Sequence, residues 1–196
     1  MKKITIIICF SFNVFVYCQN DKNVEFFSKF NDISLPLIID NKMFDTLELN
    51  NNLNEILFDS LETHILYNNK VPAIKINDKA NTKFYALGKV EMQYNYNTFI
   101  FLLWDKYNQE MKFFAAVYDS LKKFIDVKFI AGKMKVYNDL NTFCIIMPSM
   151  NLIVWDNPIK LGKEADNKDF SIYNCKIIYF NYKENVLSVD KVRDMY

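Results

Sequence analysis

Apolar and polar positions alternate through four runs between Phe84 and Ala131, FYALGKVEMQY, TFIFLLWDKY, EMKFFAAVYD and FIDVKFIAG, with short polar connections between them. Strand side chains point to opposite faces with a period of two, and short connections make sequence neighbours sheet neighbours. The pattern predicts an antiparallel meander. In the first run Phe84, Ala86, Gly88, Val90 and Met92 fall on one face and Lys89, Glu91 and Gln93 on the other. The fourth sets Ile125, Val127, Phe129 and Ala131 against Asp126 and Lys128. The second run, Phe99 to Trp104, has no polar face at all and therefore requires cover on both sides.

Upstream of the meander the pattern is helical. Val24, Phe26, Phe27 and Phe30 suit a short helix, and LPLIID at Leu35 to Asp40 an extended segment fixed by Pro36. Asn52 followed by Glu55 resembles a capping box, and Leu53, Ile56, Leu57 and Leu61 follow at helical spacing. That stripe is expected to cover the strand around Phe99 to Trp104. Downstream of Gly132, TFCIIM and NLIVWDNPI read as a strand pair, and FSIYNCKIIYFNY turns at Lys183-Glu184-Asn185 into VLSVDKV. This gives about eight strands in meander order. The expected fold is mainly β: an antiparallel meander forming a sandwich or open barrel, with one or two short N-terminal helices packed on it.

Residues 1–18 read as a signal peptide: Lys2 and Lys3 precede an apolar stretch from Ile4 to Val16, and Val16 and Cys18 occupy the minus three and minus one positions of a cut before Gln19. The stretch is short of the ~20 apolar residues of a membrane span. Tyr17 stands where a lipoprotein site wants a small residue, which disfavours a lipid anchor at Cys18. Residues 19–196 then form a single β-rich domain, with a helical lead over 19–80 and the meander over 81–196. The expected location is the periplasm, the outer surface or outside the cell.

Composition narrows the function classes. The chain is 51% hydrophobic and 16% aromatic over 196 residues, enough for one core. With 24 basic and 23 acidic residues it has no field to gather nucleic acid. Export leaves Cys144 and Cys175 in an oxidising compartment, where they are either two buried thiols or one disulfide.

Candidate chemistry is sparse. His64 is the only histidine, so a multi-histidine metal site cannot be built and no Ser-His-Asp arrangement can be built without it. Glu164, Asp166, Asn167 and Asp169 concentrate oxygen ligands in one loop, a candidate calcium site without EF-hand spacing and diluted by Lys163 and Lys168. Tyr85, Tyr94, Tyr96, Trp104 and Tyr107 cluster around the first hairpin as a candidate aromatic binding patch. Gly88, Gly132 and Gly162 stand too far apart for a phosphate loop, and no cofactor signature is present. Asp105, Asp119, Asp126 and Asp156 recur near strand ends, where a catalytic acid pair or ordinary turn residues would sit.

MKKITIIICF at the start, FYALGKV and the AVYDSLKKFIDV hairpin give the chain its resemblance. It resembles small exported bacterial proteins of unknown function in which a signal peptide and a short helical lead precede a β meander. The resemblance implies that architecture and carries no activity or site residues. The expectation is a non-enzymatic binding or structural module with a protein or glycan partner; the alternative is a carboxylate-based hydrolase such as a glycosidase.

Overall fold

The computed structural model describes residues 25–49, 53–57, 81–134, 140–158 and 173–191. The fold is mainly β. Among the described residues ten strands form one antiparallel sheet: β1 (Leu37–Ile39), β2 (Asn54–Ile56), β3 (Thr82–Glu91), β4 (Asn97–Asp105), β5 (Glu110–Tyr118), β6 (Phe124–Met134), β7 (Leu140–Ile146), β8 (Leu152–Pro158), β9 (Tyr173–Asn181) and β10 (Val186–Lys191). Their order is β10-β9-β8-β7-β6-β5-β4-β3-β2, a meander that does not close into a barrel. The four runs of the central meander are β3 to β6.

β6 meets β7 only at Gly132–Met134, opposite Leu140–Thr142. The other half of the β7 edge is taken by β1, with Leu37, Ile38 and Ile39 opposite Ile146, Ile145 and Cys144. The extended segment expected at Leu35 to Asp40 is a strand over Leu37–Ile39, preceded by a bend at Leu35 and Pro36 with a cis peptide bond between them.

Residues 25–28 are helical, and a helix α1 spans Asn41–Leu49. α1 starts at Asp40, whose Oδ1 accepts the Met43 amide at 3.0 Å while its carbonyl accepts the Phe44 amide at 3.0 Å, an N-cap arrangement. The sequence pattern predicts a helix after Asn52 instead, and there Asn54–Ile56 is strand β2, paired with Phe84–Ala86 of β3. A three-residue strand carries too short a pattern to be told from one turn of a helix. Residues 58–80, His64 among them, lie outside the described residues.

β4 and β5 are buried on both faces because each serves two apolar clusters. Ile100, Leu102, Met111, Phe113, Ala115 and Val117 join the larger cluster, which also takes Phe44 and Leu47 of α1 and reaches Val154, Ile178 and Leu187. Phe99, Phe101, Leu103, Phe114, Ala116 and Tyr118 join the smaller one, covered by Phe26, Phe27 and Phe30. The cover required for the Phe99 run therefore comes from the first helical segment and from α1.

Alternation along β3 holds only in parts. Ala86 pairs with Phe101 and Gly88 with Ile100, so Leu87 is an extra residue, a β-bulge. Phe84 and Ala86 enter the smaller cluster, whereas Val90 and Met92 enter the larger. The single face expected from Phe84 to Met92 is divided at the bulge. β6 likewise shifts register at Ile125 and Ile130. Val127 joins the smaller cluster and Phe129 packs against it, while Ile130 and Ala131 enter the larger.

Candidate functional site

Three of the sequence-derived candidates fall outside the described residues: His64, the oxygen-rich loop of Glu164, Asp166, Asn167 and Asp169, and Cys18. The cysteines and the aromatic patch lie within them.

Cys144 is buried and Cys175 half-buried, and both are free thiols. Cys144 pairs with Val154 of β8, which pairs with Lys176 of β9. Two ladder steps of ~4.8 Å separate β7 from β9, about 10 Å. That exceeds the ~7 Å over which two Cα atoms can be bridged, and of the two alternatives this structure has the separate thiols. Burial pushes the Cys144 thiol up to about 12, against the opposing influence of Lys176.

The five aromatic residues do not form one patch. Tyr85 is buried, with its ring centroid 6.1 Å from that of Trp104. Lys106 places its Nζ 4.7 Å from the Trp104 ring centre, and Tyr107 in the following turn is exposed. Tyr94 and Tyr96 lie at the opposite end of β4, nine residues or ~30 Å away. There they meet two rings that sequence reading did not include. Tyr94 stands 5.1 Å from Tyr182, and Tyr96 stands 4.9 Å from Phe180 and 5.8 Å from Tyr182. Tyr94 has φ 59° and Asn95 φ 60°, a left-handed turn that holds the Tyr94 ring 75% exposed. This cluster clasps the end of β9 to the β3–β4 turn.

The strand-end carboxylates are engaged separately. Asp105 accepts the backbone amide and the side-chain amide of Asn108. Asp156 accepts the Thr142 hydroxyl at 2.7 Å. Asp126 accepts the Leu187 amide at 3.0 Å. Asp119 Oδ1 accepts the amides of Leu121 and Lys123 at 2.9 and 2.8 Å, which closes the β5–β6 turn. Among the described residues no three His, Cys, Asp or Glu side chains gather as a metal-binding set.

One concave feature brings polar and aromatic groups together. A cleft of about 290 Å³ opens between the helical turn at 25–28 and the adjoining ends of β3, β4 and β5. Its position follows from register: Lys89 of β3 lies opposite Phe99 of β4, and Asn97 opposite Tyr118 of β5. Phe27 packs onto these strand ends. The rings of Phe27, Phe99 and Tyr118 meet pairwise at 5.0 to 5.2 Å, two of the three pairs close to perpendicular. Edge-to-face contact is the favoured aromatic geometry, so the wall is rigid. Burial raises the Tyr118 phenol above its ordinary range and keeps it protonated.

Around this wall stand Ser28, Asn97, Lys89 and Lys122. Lys122 lies in the Asp119 turn with φ 60°, its own amide donating to the Asp119 carbonyl at 2.9 Å and its Nζ 5.2 Å from the Phe27 ring centre. Lys89 reaches Asp32 at 3.4 Å, across a largely exposed carboxylate. Among the lining residues Asp119 is the single acid, and one of its oxygens is held by two turn amides. Two ammonium groups thus face one engaged carboxylate. The cleft draws on four separate chain segments, and no local motif announces it.

Comparison with known proteins adds no name to this geometry: the chain matches no family model, no curated protein and no solved structure. Among the described residues no helix is long and apolar enough to cross a membrane.

Proposed function

We propose that the chain is an exported, non-enzymatic binding module, acting at the cell envelope or outside the cell, that takes part of a protein or glycan partner into the Phe27–Phe99–Tyr118 cleft. The observation that carries the reading is the lining itself: a rigid aromatic wall, hydrogen-bonding groups from Ser28 and Asn97, and two cations. A few polar groups converging on an apolar concavity are what orients a small bound group. The hydrolase alternative calls for two carboxyls about 5 to 10 Å apart across a cleft, and this lining supplies one, already committed to its turn.

Export follows from the n-region and apolar stretch of residues 1–18. Intact mass of the native protein tests it: a chain beginning at Gln19 is expected, and an intact Met1 in the cytoplasm would refute it. Binding is tested by amide NMR with panels of oligosaccharides and envelope peptides. Shifts confined to residues around Ser28, Asn97 and Lys122, with the ligand recovered unchanged, are expected. Turnover that disappears when a single acid is replaced would establish the hydrolase instead.

A further inference from the structure

The geometry points to an acidic sugar, a pyranose bearing a carboxylate, as the group the cleft takes from its ligand; this rests on the binding reading above and narrows its chemistry. Three features select it. The aromatic wall offers flat apolar surface of the kind that packs against the C–H face of a sugar ring. The Ser28 hydroxyl donates to the Glu25 carbonyl at 2.7 Å and so offers a ligand an acceptor, while the Asn97 carboxamide both donates to and accepts from ring hydroxyls. Lys89 and Lys122 add positive charge without an equal number of free carboxylates in the lining.

The two lysines differ in their readiness. Lys122 is carried by a turn whose backbone is fixed through Asp119, and its ammonium rests over the Phe27 ring. Among the described residues no carboxylate lies within ion-pair distance of it, and aromatic contact leaves the remaining N–H groups able to donate. Lys89 shares its charge with Asp32, a long and exposed pair at 3.4 Å that is worth little in water and yields readily to a better-placed anion. A carboxylate on the sugar would displace Asp32 from Lys89 and add Lys122. The volume of about 290 Å³ matches one ring and not a longer chain, so a polymer would be held by a single unit with its neighbours outside.

Titration of the whole chain with glucuronic acid, glucose and inorganic phosphate, read by amide NMR at the cleft, decides the matter. Glucuronic acid is expected to shift the Ser28 and Asn97 signals, to bind more tightly than glucose, and to weaken as salt is raised. Lys89→Gln and Lys122→Gln are each expected to reduce its affinity about threefold to fivefold while leaving that for glucose unchanged. Lys122 is exposed and Lys89 half-buried, and unchanged thermal unfolding shows that the variants are folded. Equal binding of glucose and glucuronic acid overturns the charge selectivity and leaves the binding module standing. Phosphate binding as tight as glucuronic acid overturns the sugar. No cleft shift with any acidic or neutral glycan or peptide overturns the binding reading itself.

Discussion

The Asp126 carboxylate accepts the Leu187 amide at 3.0 Å, which ties β6 to β10, the last strand of the meander. Asp126 also meets Lys128 at 3.2 Å, and its side chain is 13% exposed. Asp126→Ala would strand the amide of a buried residue, at a cost of about 2 kcal/mol. Asp126→Asn keeps an acceptor in place and is expected to lose about 1 kcal/mol. Urea unfolding of the three proteins measures both, and equal losses would show that the hydrogen bond contributes nothing.

Phe101 and Phe114 stack with centroids 5.3 Å apart, and neither is exposed. They pack beneath the N-terminal segment, where the wall cannot collapse onto a void without moving two strands. Phe114→Ala is expected to cost about 3 to 5 kcal/mol. Phe114→Leu, which keeps most of the volume, should cost markedly less in the same unfolding assay.

Gly88 gives a local test of the N-terminal edge. The Lys89 amide donates to the Asn31 carbonyl at 2.8 Å and the Ile33 amide to the Lys89 carbonyl at 3.1 Å, so residues 31–33 lie alongside β3. A Cβ at Gly88 would meet Ile33 Cγ2 and sit 2.9 Å from the Asn31 oxygen. Gly88→Ala should therefore cost about 1 to 3 kcal/mol by forcing the segment off. Hydrogen exchange should show faster exchange at Ile33 and Lys89 before any other β3 amide, and uniform exchange would contradict this docking.

The Cys144 thiol titrates near 12 against an ordinary 9.0, with burial as the chief cause. A value raised by folding means that the fold favours the protonated thiol. Its contribution is complete below pH 9 and is lost as pH rises from 9 towards 12, by at most about 1.4 kcal/mol per unit. Between pH 9 and 10 the stability of the native chain should fall more steeply than that of Cys144→Ala. In a chain beginning at Gln19, a thiol reagent at pH 8 should label Cys175 alone until the protein unfolds. Labelling of both in the folded state would refute the burial of Cys144.

The central meander was legible in the sequence because its cues are local. Period-two alternation located β3 to β6, and the doubly apolar Phe99 to Trp104 run announced cover on both faces. The bulges at Leu87, Ile125 and Ile130 were not legible, since a bulge adds one residue against a partner strand and leaves no residue type of its own. α1 was readable in principle from Asp40 as a cap with Phe44 and Leu47 three apart. β2 was not, because three residues show no period. Of the aromatic candidates, Tyr94 and Tyr96 do share a site, but with Tyr182 and Phe180, which lie far along the chain. The cleft was invisible for the same reason: its groups are adjacent only after β3, β4 and β5 have paired.

Phe27 touches Phe99 and Tyr118 and thereby closes a long loop across the chain. The hairpins of the meander join sequence neighbours and are cheap to form early, whereas this contact waits for its platform. A chain emerging N-terminus first would carry Phe26, Phe27 and Phe30 unsheltered until β5 arrives. The segment that builds one wall of the cleft is therefore seated only once β4 and β5 have paired, and the cleft comes into being with that docking.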